Sequence, residues 1–183
     1  MKNCRLVVAI LWLACAAAGA QTIATAPPAD RLAGLINGFR VAQGLTAIPV
    51  SPLLIEVAQA HVQDLEQALP AGRCNGHSWS SAGDWRACCY TADHAQAQCM
   101  WDKPREITRG AYAGPGFEIV FWAGGNATPE MAFERWKSSA GHLDVILNRG
   151  VWSRLHWQAM GVAVSAHHAA VWFGESPDAV VDR

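Results

Sequence analysis

The sequence predicts an α+β domain in which helices pack on both faces of an antiparallel sheet, and three observations lead there. Two apolar stripes of helical period, within residues 30–43 and 52–69, precede any strand signal. Three short apolar runs, 117–122, 159–164 and 169–174, come later, the last two near enough to form a hairpin. Finally, 51% of the 183 residues are apolar and only 16% charged, so both faces of a sheet need covering. The same balance excludes a disordered tail protein. The length suits one domain with a real core. A formal net charge of −1 gives no electrostatic hold on nucleic acid.

Residues 1–20 are expected to be a secretory signal peptide. Lys2 and Arg5 give it a basic start, residues 6–18 are apolar or small, and Ala18-Gly19-Ala20 fits an A-x-A cleavage site. The run falls short of the ~20 apolar residues that span a bilayer, so no transmembrane segment is expected after cleavage. Cys15 offers a lipoprotein alternative, although Trp12-Leu13-Ala14-Cys15 is a poor lipobox. Cleavage after Ala20 leaves 163 residues with 12 basic and 15 acidic groups. Export places Cys74, Cys88, Cys89 and Cys99 in an oxidising compartment, where two disulfides are expected. Direct bonding of neighbours Cys88 and Cys89 would strain the ring, so Cys74 pairs with one of them and Cys99 with the other. A zinc site is the rival use of these cysteines, but no two-residue Cys spacing supports it.

Along the chain, residues 21–29 read as a linker ending near Pro27-Pro28. A first helix starts at Asp30 as N-cap, buries Leu32, Leu35, Ile36 and Phe39, and stops at Gly44. Ser51-Pro52 starts a second, with a capping hydroxyl followed by proline at the first helical position. Leu54, Ala58, His61, Val62, Leu65 and Leu69 share its inner face, with His61 at the edge of the core. Residues 73–116 show no period, and a loop that long needs staples or a function. A strand at 117–122 ends at Gly124-Gly125. Thr128-Pro129 opens a third helix with Met131, Ala132 and Trp136 on one face, and a short turn of helix follows from His142. The strands at 159–164 and 169–174 close a hairpin over Ser165 to His168, with His167 and His168 solvated in its turn. Residues 177–183 are a polar tail.

These pieces resemble, in order, the CAP superfamily of cysteine-rich secretory, antigen 5 and pathogenesis-related proteins, also called the SCP domain. Leu35-Ile36-Asn37-Gly38-Phe39-Arg40 resembles its opening helix, and Leu53-Leu54 to Ala60-His61 its second. Trp136, Ser139, Gly141-His142 and Ile146-Leu147 resemble the bacterial form "W..S.GH...IL". Met160-Gly161-Val162-Ala163 and Val171-Trp172-Phe173-Gly174 are similar to its closing strands. The resemblance spans residues 30–176 and implies a three-layer α-β-α sandwich with a surface cleft. It places His77, Glu118 and His142 in that cleft as ligand-binding residues and as tentative metal ligands. Glu118 departs from the family's "GEN" pattern because Phe117 follows Gly116, and Ser139 stands where a second acid is usual.

Two imidazoles and a carboxylate form a legitimate set for Zn2+ or another divalent cation, with a fourth position left for water. The leading expectation is a secreted or periplasmic CAP-domain binding module without turnover. Its cleft would take a metal, a small ligand, a lipid or an envelope component. The alternative is a zinc-dependent hydrolase of cell-envelope or extracellular polymer, with Glu118 as ligand or base. Ser138 and Ser139 lack a Gly-x-Ser-x-Gly elbow, and one or the other is expected to cap the helix at His142. The tryptophans, nine in all, serve core packing or an aromatic carbohydrate or lipid surface.

Overall fold

The computed structural model describes residues 26–178. The expected leader with Cys15, and the tail beyond residue 178, lie outside them. Six helices appear among the described residues: α1 (Pro28–Ala42), α2 (Pro52–Gln67), α3 (Ala97–Trp101), α4 (Lys103–Ile107), α5 (Pro129–Lys137) and α6 (Ala140–Ile146). The strands are β1 (Phe117–Trp122), β2 (Ala159–Val164) and β3 (His168–Gly174), and a 3-10 turn occupies Gly150–Trp152. The sheet is ordered β1-β3-β2 and is antiparallel throughout, with Glu118 opposite Trp172 and Trp172 opposite Gly161.

Alternation along β3 divides the core in two. Ala169, Val171 and Phe173 join Ile119, Met160 and Val162 under α1, α5 and α6. Ala170 and Trp172 join Ala159 and Ala163 under α2 and α3. Every β3 residue is buried, which is why the strand reads as a continuous apolar run. Helices therefore cover both faces, as expected. Helix α2 approaches most closely at Gly161, where a Cβ would collide with the Leu54 backbone. Arg40 is buried in α1 and donates to the carbonyls of Thr46 and Ile146 and to Asn148 Oδ1, tying α1 to the end of α6.

Several elements differ from expectation for local reasons. Helix α1 starts at Pro28, not Asp30, because proline's fixed φ suits the first helical position; Asp30 lies in the first turn instead. Helix α2 stops at Gln67, leaving Leu69 65% exposed rather than on the inner face. In α5 the buried residues are Ala132, Phe133 and Trp136, and Met131 faces solvent. Residues 73–116 contain two helices as well as loop. The disulfides are Cys74–Cys89 and Cys88–Cys99, so all four cysteines are consumed and none is available to zinc. His167 and His168 are not a solvated pair: both rings bond Glu66, and His168 is buried as the first residue of β3.

Candidate functional site: a cleft organised by Glu118

Four segments deliver the polar groups. Strand β1 carries Glu118, helix α2 carries His61, the stapled loop carries His77, and α6 carries His142. Glu118 is buried, and its carboxylate lies between two imidazoles. One oxygen meets His61 Nδ1, and the other accepts from His77 Nδ1 at 2.8 Å. His61 is wholly buried, and its Nε2 donates to the Ser78 carbonyl at 3.0 Å. A carboxylate and a carbonyl both only accept, so both nitrogens of His61 carry protons and the ring is an imidazolium. Burial pushes this imidazole down. The Glu118 charge and hydrogen bond, the Ser78 carbonyl and Asp64 outweigh it and hold the pKa raised. Burial likewise pushes Glu118 up, while the charge and hydrogen bonds of His61 and His77 hold it lowered. The His61 ring also stacks on Trp79, with centroids 4.3 Å apart and planes 8° from parallel.

Because His77 Nδ1 donates to Glu118, its Nε2 is left for the cleft, the arrangement by which a carboxylate fixes an imidazole's tautomer. His142 Nδ1 lies 2.8 Å from the Ser139 hydroxyl. Burial, then the nearby His77 and Arg135, lower the pKa of His142, which keeps it neutral near pH 7. Ser139 occupies the N-cap position of α6, yet its hydroxyl makes no capping bond and turns to His142 instead. The cleft has a volume of about 510 Å³. Its polar end is His77, Tyr90, His94, Glu118 and His142; its apolar walls include Met100, Trp101, Ile119, Val145 and Trp152. Tyr90 Oη is bonded to His94 Nδ1 at 2.7 Å. His94 holds a φ of 59°, a left-handed conformation costly for a residue with a Cβ.

The structure thus brings His77, Glu118 and His142 to one cleft. Sequence reasoning missed His61, Tyr90 and His94. His61 had a signal: an ionisable ring on the apolar face of a helix must find a partner. Tyr90 and His94 lie in a loop without period, placed by the disulfides and by the bonds of the Tyr90 backbone to Asn75 and Ser78. The donor set does not fit a resident metal. Both Glu118 oxygens are engaged by imidazoles, and a zinc site uses three or four protein ligands brought to one point. Among the described residues no group of three His, Cys, Asp or Glu side chains could hold a metal ion.

No family model matches the sequence, and no curated protein does. Solved structures match in fold. An extracellular protein containing an SCP domain from Bacillus anthracis aligns over 81% of this chain and 40% of its own, with 15% identity and a TM-score of 0.56. A cysteine-rich secretory protein from Staphylococcus aureus aligns over 81% of this chain and 39% of its own, at 15% identity and TM-score 0.52. An outer surface protein from Borrelia burgdorferi aligns over 80% of this chain and 90% of its own, at 12% identity and TM-score 0.50. The chain spans about two-fifths of the length of the first two. No helix among the described residues is long and apolar enough to cross a membrane. From helix order, sheet order and these neighbours together, the chain has the fold of a CAP, or SCP, domain.

Proposed function

We propose that the chain is an exported SCP-domain binding module. Its cleft holds a small ligand with an apolar body and a hydrogen-bonding head, without chemical turnover. One observation carries the reading: Glu118, the only carboxylate among the described residues that line the cleft, is held between two imidazoles. A general base must reach substrate, whereas the Glu118 side chain is fully buried and each of its oxygens is already bonded to an imidazole. What remains is the imidazoles of His77, His94 and His142 above a wall of Ile119, Val145 and two tryptophans, a surface suited to holding a ligand. Export is supported by the leader-like residues 1–20, the two disulfides and the extracellular character of the neighbours' names.

A fragment screen by ligand-observed NMR, repeated with His142→Ala, tests this. The expected result is a set of amphipathic fragments that bind wild type, lose binding in the variant and stay chemically intact. Hits indifferent to His142→Ala, or fragments hydrolysed at a rate that His142→Ala abolishes, would overturn it.

A further inference from the structure

The His-lined cleft shares Trp101, Val151 and Trp152 as walls with a second groove of about 660 Å³. We propose that this groove is a subsite for a neutral linear saccharide, so that cleft and groove together hold a glycan chain. The inference rests on the binding-module reading and adds the ligand's class.

The floor is aromatic. Phe117 meets Trp101 and Trp152 with ring centroids 5.8 and 5.4 Å apart, and both indoles remain partly exposed to the groove. Such faces accept the C–H face of a pyranose ring. The rim is polar and pre-arranged. Gln98 Nε2 and Arg105 Nη2 both donate to Asp102 Oδ1, at 2.9 and 3.0 Å. Among the described residues Asp102 Oδ2 and Gln98 Oε1 accept no hydrogen bond, so the exposed Gln98 and Arg105 and the partly exposed Asp102 put acceptors and donors side by side. Vicinal hydroxyls need that mixture, since each both donates and accepts. The Asp102–Arg105 pair cancels in charge, which favours a neutral ligand over a phosphate or carboxylate. An extended peptide would look for an open strand edge. The groove instead offers loop, short helix and one strand residue, with Pro115 lacking an N–H.

The test is calorimetry of the oxidised full-length protein with chitotetraose and cellotetraose, beside decanoate and hexa-alanine. Arg105→Ala and Gln98→Ala change exposed side chains of the groove alone, and Trp152→Ala removes the shared wall. The expected result is binding of a tetrasaccharide weakened about tenfold in Arg105→Ala and lost in Trp152→Ala. Circular dichroism confirms that each variant is folded. No saccharide binding overturns the proposal, as does saccharide binding unchanged in folded Arg105→Ala and Gln98→Ala. Decanoate or hexa-alanine bound more tightly than either saccharide, and lost in Arg105→Ala, assigns the groove to another class and also overturns it. None of these outcomes touches the binding-module reading, whose fragment hits depend on His142.

Discussion

Removing His61 leaves a buried carboxylate facing one imidazole instead of two. Breaking a buried pair from one side costs about 3–5 kcal/mol, so His61→Leu should lower unfolding stability in urea by that order. The pair also sets a pH profile. His61 is held above its ordinary 6.5, so its contribution is complete below that value and is lost as pH rises through the folded pKa. Glu118 is held below its ordinary 4.5, so its contribution is complete above that value and is lost as pH falls through the folded pKa. Thermal stability should therefore crest between pH 4.5 and 6.5, and His61→Leu should flatten the alkaline side. A wild-type profile that keeps rising above that window would contradict the pairing. Zinc calorimetry should show no micromolar binding, because among the described residues no three His, Cys, Asp or Glu side chains group as ligands. At this scale the sequence was most legible for His142, whose Gly-His motif is local. Glu118 was legible as a residue but not in its role, since nothing local records that two imidazoles reach it from 57 and 41 positions away.

Helix α2 shows what local chemistry does and does not fix. Ser51 Oγ accepts from Leu54 N at 3.0 Å, and its hydroxyl is bonded to Asp178 near the end of the described chain. Ser51→Ala should cost about 1–2 kcal/mol. Gly161→Ala should cost more than Ser51→Ala, because its Cβ meets backbone that cannot rotate away and α2 must lift off the sheet. Urea unfolding of the two variants side by side ranks them. The Ser51-Pro52 and Thr128-Pro129 starts were readable because both hydroxyls bond the backbone N–H three residues on. The ends were harder: Leu69 continues the stripe of α2 on paper, but the helix stops at Gln67. Helices α3 and α4 were not readable at all. Five residues make little more than one turn, too short to show a period.

Across the whole molecule, the strands were legible in the residues themselves, whereas the cleft and its His77, Glu118 and His142 were legible only through the family resemblance. Three apolar runs and a hairpin spacing suffice for the strands and the β2-β3 pair but not for the place of β1 beside β3, and the cleft is assembled by a loop that two disulfides hold in place. Reduction should therefore act unevenly. Hydrogen exchange after reductant should lose protection across residues 74–101, which carry His77, Tyr90, His94 and Trp101, while the three strands stay protected. Uniform loss would make the staples global rather than local to the cleft. The proposal of a holding site rests on the convergence of α2, that loop and β1 on one carboxylate, and imidazole nitrogen NMR at pH 6 reads that convergence directly. The structure predicts protons on both nitrogens of His61 and on Nδ1 of His77, and the His77 Nδ1 signal should shift in Glu118→Gln. A neutral His61, or a His77 whose proton sits only on Nε2, would contradict it.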